Sequence, residues 1–236
     1  MGDFKFKQFT LTQDRSAMKV GTDGVLLGAW TSLRSEPNSI LDIGTGTGLI
    51  ALQLAQRSAA ELIDAIEIDA LAYEEAVMNF EHSAWADRLF CYHCSLKEFI
   101  EEIEEQYDLI VANPPFYQEE GNAADLARNT ARSTSALSFD LLALSVAKLL
   151  SPKGIFSLIL PYKEFDNFTD IARKNGLFLN QCCFVKGHAD AAFKRVLLEY
   201  SFRESDLQQT ELTLELERHR YTPEYIALVK DFYLKM

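Results

Sequence analysis

The stretch SILDIGTGTGLIALQLAQR, residues 39 to 57, decides the fold. SILDI is a short apolar run typical of a buried strand, and LIALQLAQR has the apolar spacing of an amphipathic helix. Glycines at positions 44, 46 and 48 separate the two. Glycine adopts positive φ without steric cost and lets the backbone approach a ligand closely. The stretch therefore predicts a strand, a ligand-binding turn and a helix in succession.

The same order of strand and helix continues along the chain. Alternating βα units of this length indicate a largely parallel sheet with helices on both faces. Two late segments, LNQCCFVKG and KRVLLEYSF, are predicted to pair as an antiparallel hairpin at the sheet edge. The predicted strands are 39–43, 62–68, 89–94, 107–112 and 154–161. The predicted helices are 49–57, 70–82, an acidic helix between the third and fourth strands, 139–150, 163–176 (with Gly176 as C-cap) and a closing helix that begins at Thr222 and Pro223.

Length and composition fit one globular domain. The chain has 236 residues, of which 48% are hydrophobic and 25% are charged. We expect a single domain over 1–236, made of an N-terminal cap segment (1–38), a core (39–203) and a C-terminal strand and helix (204–236). No run approaches the roughly 18 apolar residues of a membrane span, and the N-terminus lacks the apolar segment of a secretory signal. The sequence therefore predicts a cytoplasmic protein without a membrane partner.

Charge and cysteine content narrow the function classes. The net charge of −12 argues against broad affinity for nucleic acid, although it allows a local basic patch. Much of the acid lies in EFIEEIEEQYD (98–108), which we interpret as a solvated helix face. Cys91 and Cys94 would point to opposite faces of a strand, and Cys182 and Cys183 are adjacent, so neither pair has the arrangement of metal ligands. We predict core cysteines and no metal site.

Acidic residues next to the glycine turn indicate the cofactor. Glu67 ends the second predicted strand, where an acid commonly binds a ribose diol. The glycine spacing is G-x-G-x-G, with Leu49 where a dinucleotide-binding loop has its third glycine. Asp42 lies just before the turn, and its carboxylate suits a cation such as an amino-acid ammonium and would repel a pyrophosphate. S-adenosylmethionine, which carries an ammonium, a sulfonium and an adenosine, fits this pattern, although a simple tight turn is the structural alternative.

A second motif, LIVANPPFYQEE, covers residues 109–120. Asn113 follows an apolar strand, at the end where open α/β sheets bind ligands. Its side-chain oxygen and the Pro114 carbonyl can accept the two hydrogens of a planar amine, which favours a pyramidal nitrogen with a free lone pair. The prolines restrict the backbone in advance, and the Phe116 ring offers a face on which an extruded base can stack. The structural alternative is a helix-start turn with Phe116 in the core.

Together these motifs resemble a known family. LDIGTGTG, AIEID and NPPF in this order resemble class I methyltransferases that act on exocyclic amines. With FKFKQF, MKVGTDGVLLGAW (18–30) and KRVLLEYSF, the chain resembles, nearly end to end, the bacterial tRNA (adenine-N6)-methyltransferases that modify valine tRNA beside its anticodon. The resemblance implies a class I, Rossmann-like fold with a mostly parallel seven-stranded sheet. It also implies S-adenosylmethionine-dependent methylation of an adenosine N6 amine in tRNA, and nothing in the sequence indicates an obligate protein partner.

The resemblance assigns residues to two sites. Asn113, Pro114 and Phe116 carry over as the target-amine site. Related enzymes often have, after the third strand, an acid that holds the adenine amine; here Ser95 stands there, and its hydroxyl can accept the same hydrogen bond. Lys19 or Thr22 is expected within reach of the methionine end of the cofactor, unless KVGTDG only caps a helix. The cofactor set is thus Lys19, Thr22, Asp42, Gly44, Gly46, Gly48, Glu67, Ser95 and Asn113.

Basic residues mark candidate RNA contacts. One group, Arg128 and Arg132, follows NPPF, and a second lies around the late hairpin: Lys186, His188, Lys194 and Arg195. The N-terminus is mildly basic, with Lys5, Lys7, Arg15 and Lys19. Ordinary solvated surface is the alternative interpretation of each group.

Other functions stay open from sequence alone. Methylation of a protein glutamine at N5 is chemically close, although enzymes of that kind carry a helical domain before the glycine loop. Methylation of adenine N6 in rRNA or DNA is a second alternative, although the DNA enzymes usually need a further recognition domain. A catalytically silent module that binds S-adenosylmethionine is the non-enzymatic alternative.

Overall fold

Strands and helices alternate through most of the computed structural model, which describes residues 2–16, 18–114 and 137–236. Over these residues the helices are α1 (Thr22–Trp30), α2 (Leu49–Arg57), α3 (Ala70–Glu81), α4 (Leu96–Glu102), α5 (Phe139–Leu149), α6 (Phe165–Lys174) and α7 (Pro223–Val229). The strands are β1 (Phe4–Lys5), β2 (Thr10–Leu11), β3 (Ser39–Ile43), β4 (Leu62–Glu67), β5 (Leu89–His93), β6 (Tyr107–Ala112), β7 (Leu150–Pro161), β8 (Phe178–Lys186), β9 (Arg195–Ser201), β10 (Gln208–Thr213), β11 (Glu215–Glu217) and β12 (Arg220–Tyr221).

The main sheet has eight strands in the order β10-β8-β9-β7-β6-β3-β4-β5. Strand β3 pairs in parallel with β4 on one side and with β6 on the other. From β3 the chain proceeds outward to β4 and β5, then returns to β6 on the opposite side and continues to β7. Ligands bind at such a reversal of strand order, beyond the carboxyl ends of the strands. The topology therefore places the candidate site beyond β3 and β6.

Helices cover both faces of the sheet. Ile40 of β3 packs in one core with Leu27 of α1 and Leu52 of α2. The next residue, Leu41, packs in the second core with Leu142 of α5. Strands that are buried on both faces carry nearly continuous apolar runs, which is why SILDI and YDLIVA are recognisable in the sequence.

A hairpin of β1 and β2 joins the beginning of the described chain to its far end. Phe6 forms an antiparallel bridge with Tyr233, and their ring centroids lie 5.8 Å apart. The Lys7 backbone N–H donates to the Phe232 carbonyl at 2.8 Å. Phe6 and Phe9 are buried in the α1–α2 core. The residues after α7 therefore hold the N-terminal hairpin in place.

The predicted fold class is confirmed, with two differences in detail. The sheet has eight strands rather than seven, because β10 pairs in parallel with β8. The late hairpin of β8 and β9 is formed, but β10 covers it, so it is not the sheet edge. Strand β9 lies antiparallel between β7 and β8.

Two helix ends also differ from the sequence-based expectation. Helix α4 spans Leu96–Glu102, and Ile103 already has extended backbone. Acidic side chains at a helix C-terminus oppose the helix dipole, which explains why the acidic run to residue 108 does not continue the helix. Helix α6 ends at Lys174 with Asn175 as C-cap, and Gly176 follows at φ +79°.

Candidate active site

A cavity of about 490 Å³ opens beyond the carboxyl ends of β3, β4, β5 and β6. Its volume lies within the roughly 300–1,000 Å³ of small-molecule sites. Because parallel strands end at the same edge, segments distant in sequence meet there. The lining comprises Ser16, Met18, Ile43, Gly44, Gly46, Ile66, Glu67, Ile68, Asp69, Ala72, Cys94, Ser95, Leu96, Lys97, Asn113, Pro114, Leu137 and Leu141.

Glu67 holds the glycine turn against the end of β4. One carboxylate oxygen accepts the Gly46 N–H at 2.9 Å, and the other accepts the Asp69 N–H at 2.8 Å. The side chain is nearly buried and lines the cavity. An ionised carboxylate has about four acceptor positions, so capacity is left for hydroxyl groups of a ligand. Glu67 can thus shape the turn and bind a diol at once.

The three glycines of the turn serve two purposes. Gly44 and Gly46 line the cavity at φ +71° and +59°, where an L side chain is strained. Gly48 lies outside the lining, before the first residue of α2. A Cβ on Gly48 would lie 2.5 Å from the Phe80 ring of α3. Gly48 is therefore required where α2 and α3 pack together, and its predicted contact with a cofactor stays a prediction.

Asp42 lies beneath the turn rather than in the cavity. One carboxylate oxygen accepts the Thr45 hydroxyl at 2.6 Å and the Ala51 N–H, in the first turn of α2, at 3.2 Å. The side chain is fully buried, and this burial raises its pKa to about 7. These contacts position the turn relative to α2. The predicted contact with a ligand ammonium stays a prediction.

Replacing Asp42 with asparagine should flatten the pH dependence of stability between about pH 4 and pH 7. Because the pKa of Asp42 is raised from 3.8 in the folded state, the folded protein keeps a proton that the unfolded chain loses in this range. The free energy of unfolding therefore falls as pH rises through this window, by on the order of a few kcal/mol from this group. Urea unfolding of both proteins at pH 5, 6 and 7.5 checks this. Parallel pH profiles for the two proteins would contradict it.

An N-terminal strap, residues 12–16 and Met18, closes the cavity beside α3. The carboxylate of Glu75, which is 1% exposed, accepts the backbone N–H groups of Arg15 and Ser16, each at 2.9 Å. The Asn79 side chain accepts the Thr12 N–H and donates to the carbonyls of Thr12 and Thr47, again at 2.9 Å. The strap is thus fastened to both α3 and the glycine turn.

Lys19 and Thr22 are predicted from the sequence to lie near the methionine end of the cofactor. Both lie outside the lining of the cavity. The Lys19 ammonium donates to the Gln13 carbonyl, and Thr22 is exposed at the start of α1. Ser16 and Met18 line the cavity instead. The sequence signal that could have found them is weak. Ser16 is anchored through its backbone N–H, and Met18 through its backbone carbonyl, which accepts the Ser16 hydroxyl. Nearly every residue possesses these backbone groups.

Ser95 begins α4 and lines the cavity beside Cys94. Its hydroxyl donates to Glu98 at 2.7 Å and accepts the Glu98 N–H at 3.2 Å, which forms a capping box. Because the hydroxyl hydrogen is already donated, Ser95 can offer a ligand only an acceptor. This is compatible with the predicted contact to an adenine amine, which stays a prediction.

Asn113 follows β6 in the cavity lining. Its side-chain oxygen is buried and has no hydrogen-bond partner within the described ranges. A buried acceptor without a partner is costly, so such an atom usually indicates a missing donor. Pro114 lies beside it in the lining. Phe116, Arg128 and Arg132 lie outside the described residues.

The late basic residues lie at the same edge of the sheet as the cavity. Lys186 ends β8, and Arg195 begins β9 opposite Pro161, the last residue of β7. The Arg195 guanidinium donates to Asp23 of α1 at 2.7 Å, so a structural contact already occupies it. Lys194 and His188 are exposed. Their predicted contacts with RNA stay predictions.

Neither metal ligation nor membrane crossing has a candidate in the ranges 2–16, 18–114 and 137–236. No three or more His, Cys, Asp or Glu side chains cluster there as metal ligands would. None of the helices there has the length and apolar character to span a membrane. Cys91 and Cys94 are half-buried, and Cys182 and Cys183 are buried; all four are free thiols.

Comparison with known proteins gives a consistent result. Residues 21–138 match the family model "Methyltransferase small domain". The tRNA1(Val) (adenine(37)-N6)-methyltransferase of Christiangramia forsetii is 55% identical over 99% of this chain and 98% of its own length. The protein of the same name from Flavobacterium psychrophilum is 54% identical over 99% and 100%.

Solved structures agree on the fold. A predicted O-methyltransferase from Agrobacterium tumefaciens has a TM-score of 0.68 at 18% identity, covering 89% of this chain and 96% of its own. M. jannaschii TYW2 in complex with AdoMet has a TM-score of 0.55 at 15% identity, covering 84% and 85%. The matched family model and this fold together define a Rossmann-like methyltransferase of class I. Because the chain is 54–55% identical to the curated relatives over nearly its full length, it belongs to the tRNA1(Val) (adenine(37)-N6)-methyltransferase family.

Proposed function

We propose that this protein transfers a methyl group from S-adenosylmethionine to the N6 amine of adenosine 37 in valine tRNA. The observation that carries the proposal is the unpartnered Asn113 side-chain oxygen, which lies in the same cavity as Gly44, Gly46 and Glu67. Family membership identifies the acceptor as tRNA. Since tRNA is a cytoplasmic substrate, the reaction takes place in the cytoplasm, and the proposal needs no obligate protein partner.

The cavity has the chemistry that S-adenosylmethionine requires. Glu67 retains acceptor capacity for a ribose diol, and Ser95 can accept from an adenine amine. Apolar side chains of Ile68 and Leu96 offer surfaces for the adenine ring. Gly44 and Gly46 leave space for the methionine portion, because nothing lies within 4 Å of a Cβ built on either. When bound, the cofactor supplies an electrophilic methyl carbon on a sulfonium.

Asn113 and Pro114 would bind and orient the target amine. An adenine amine is a weak nucleophile because its lone pair is delocalised into the ring. The Asn113 oxygen accepts one amine hydrogen and the Pro114 carbonyl accepts the other, which favours a pyramidal nitrogen. Two prolines after Asn113 limit backbone motion, so these acceptors are oriented before the substrate arrives. No base is required beforehand, since the methylated ammonium is acidic enough to lose its proton to water.

The other predicted site residues have different proposed roles, which follow from where they lie. Phe116 remains in the proposal as the stacking surface for the base. Asp42 and Gly48 act on the cofactor indirectly, through the shape of the glycine turn. Ser16 and Met18 of the N-terminal strap take the place assigned to Lys19 and Thr22.

The test is single-turnover transfer of labelled methyl to unmodified valine tRNA. After digestion, the label should be found in N6-methyladenosine. It should be absent from a transcript with guanosine at position 37. Label on a protein glutamine, on another nucleoside or in another RNA would overturn the proposal, and the first result would indicate N5-glutamine methylation.

Glu75→Ala should weaken cofactor binding indirectly, through the N-terminal strap. Loss of the carboxylate leaves two strap N–H groups without their acceptor, so the strap loosens over the cavity. We expect about tenfold weaker binding of S-adenosylhomocysteine by calorimetry and a loss of about 1–3 kcal/mol in unfolding free energy.

Glu74→Ala is the matched control for this change. Glu74 pairs with Arg15 at 2.6 Å on the surface, where both side chains are more than half exposed. Such pairs contribute about 0–1 kcal/mol, so cofactor affinity should stay within about twofold of wild type. Cofactor affinity within about twofold of wild type in Glu75→Ala as well would show that the strap does not hold the cofactor.

A further inference from the structure

Three aromatic rings form an aromatic platform at the edge of the sheet where β7 and β8 end and β9 begins: Tyr162, Phe184 and Phe193. The Tyr162 centroid lies 5.4 Å from that of Phe184 and 5.5 Å from that of Phe193. Phe184 and Phe193 are themselves 5.4 Å apart. Phe184 is buried, whereas Tyr162 is 41% exposed. The platform thus presents a supported aromatic ring to solvent.

Lysines surround the platform. The Lys186 ammonium lies 5.4 Å from the Phe193 ring centroid. Lys163 follows Tyr162 directly and its side chain is 67% exposed. Lys194 is exposed and forms no ion pair with the described residues.

Acidic neighbours compete only weakly for these lysines. Glu164 lies 3.9 Å from Lys163, and Glu211 lies 3.8 Å from Lys186. Both separations exceed hydrogen-bonding distance, and side chains of this kind rearrange at low cost. In a chain with a net charge of −12, this region is locally able to accept an anionic partner.

The platform continues the active site along the edge of the sheet. Strand order runs from β5 and β4 through β3 and β6 to β7, β9 and β8. Glu67 ends β4, and Ser95 follows β5 as the N-cap residue of α4. Asn113 follows Ala112, which pairs with Leu158 of β7. Tyr162 is four residues beyond Leu158, roughly 13 Å along the strand direction. The platform therefore lies on the side of Asn113 where the target base is proposed to bind. It lies away from the proposed pocket for the adenosine of the cofactor.

We propose that the aromatic platform binds unpaired RNA next to the target adenosine. A base adjacent to the target stacks on Tyr162, and its phosphates contact Lys163, Lys186 and Lys194. This inference rests on the proposed function. Extruding one base unstacks its neighbour, and an exposed ring lets that neighbour stack again. Aromatic rings beside basic groups are the usual means of holding single-stranded nucleic acid.

Tyr162→Ala should weaken binding of unmodified valine tRNA about tenfold. Tyr162→Phe keeps the ring and should bind within about twofold of wild type. The matched control is Tyr92→Ala on β5, because Tyr92 is 42% exposed at the opposite end of the sheet. Equilibrium binding of tRNA, calorimetry with S-adenosylhomocysteine and thermal unfolding are measured for each. Cofactor affinity should be unchanged in all three variants.

Lys194→Glu tests the phosphate contact. The slope of log K against log salt should become shallower by about 0.7 for one lost single-strand contact. Lys153→Glu makes the same charge change on an exposed residue near the beginning of β7, toward the opposite edge of the sheet, and should leave the slope unchanged.

The outcomes separate the two proposals. If wild type methylates tRNA but Tyr162→Ala binds it as well as Tyr92→Ala does, the platform proposal is wrong and the proposed function stands. If wild type transfers no methyl to tRNA, the proposed function itself fails. Weaker tRNA binding accompanied by equally weaker cofactor binding or by unfolding would also overturn the platform proposal, because it would indicate general damage.

Discussion

Asn113→Ala should lower the rate of methyl transfer to tRNA by a factor on the order of a hundred or more. In the proposed role, the Asn113 oxygen accepts from the amine most strongly as the nitrogen becomes pyramidal, so its contribution would lie mainly in the transition state. The loss is comparable to that of one oxyanion-hole donor. Single-turnover transfer at saturating tRNA and cofactor measures this rate. Affinity for S-adenosylhomocysteine should change only slightly.

The same substitution should leave the fold intact. Because the Asn113 oxygen has no partner within the described ranges, its removal breaks no hydrogen bond recorded there and relieves the cost of an unpaired acceptor. We expect the free energy of unfolding to stay equal or to rise slightly. Asn167→Ala, on the exposed face of α6, is the matched control and should transfer methyl at the wild-type rate. A wild-type rate in Asn113→Ala would refute the assigned role.

Glu67→Ala should weaken cofactor binding by about ten- to a hundredfold. A charge-assisted hydrogen bond to a ligand contributes roughly 1–3 kcal/mol, which is the expected loss if Glu67 binds the ribose diol. The variant also leaves the N–H groups of Gly46 and Asp69 without an acceptor, because in the wild type both donate to the Glu67 carboxylate. The glycine turn then keeps only its backbone hydrogen bonds to the end of β4, from Gly44 and Thr45 to the Ile66 carbonyl. Calorimetry with S-adenosylhomocysteine measures the combined effect.

Two further variants separate the loss of the ligand contact from the loss of support for the glycine turn. Glu67→Gln keeps the shape but replaces one acceptor oxygen with a donor, so the N–H group of either Gly46 or Asp69 loses its acceptor. It should lie between wild type and Glu67→Ala in affinity. Glu61→Ala removes an exposed acid just before the amino end of β4 and should bind the cofactor normally. Unchanged affinity in Glu67→Ala, or tight binding of NAD by the wild type, would exclude the assigned cofactor role.

Most of the fold was predictable because most strands are buried on both faces. Unbroken apolar runs such as YDLIVA have few alternatives to a central strand. Strand β10 differs, because only Leu212 among its residues is buried. As an edge strand it faces solvent along most of its length, so QQTELT shows no apolar pattern. The sequence predicted a C-terminal strand but not its parallel pairing with β8.

The site was predictable where a motif and a strand end coincide. Gly44, Gly46, Glu67, Ser95 and Asn113 all line one cavity, because each follows or ends a parallel strand. The N-terminal strap was not predictable in this way. Its anchors, Glu75 and Asn79, lie 60 and 67 residues further along the chain and bind backbone atoms. Asp42 illustrates a second limit of sequence-based prediction, since its hydrogen-bond partners depend on the path of the glycine turn above it.

The hairpin of β1 and β2 has a consequence for how the protein is made. Lys7 and Lys230, which are hydrogen-bonded through the Lys7 side chain, are 223 residues apart in sequence. On the ribosome, the hairpin emerges first, but Phe6 cannot bury itself against Tyr233 until the whole sheet has been synthesised. The strap that follows β2 does not depend on this step, because its anchors are Glu75 and Asn79 of α3. In the nascent chain the N-terminal hairpin therefore stays undocked until residues 230–233 have been synthesised, so the first strands to be made are among the last to take their place.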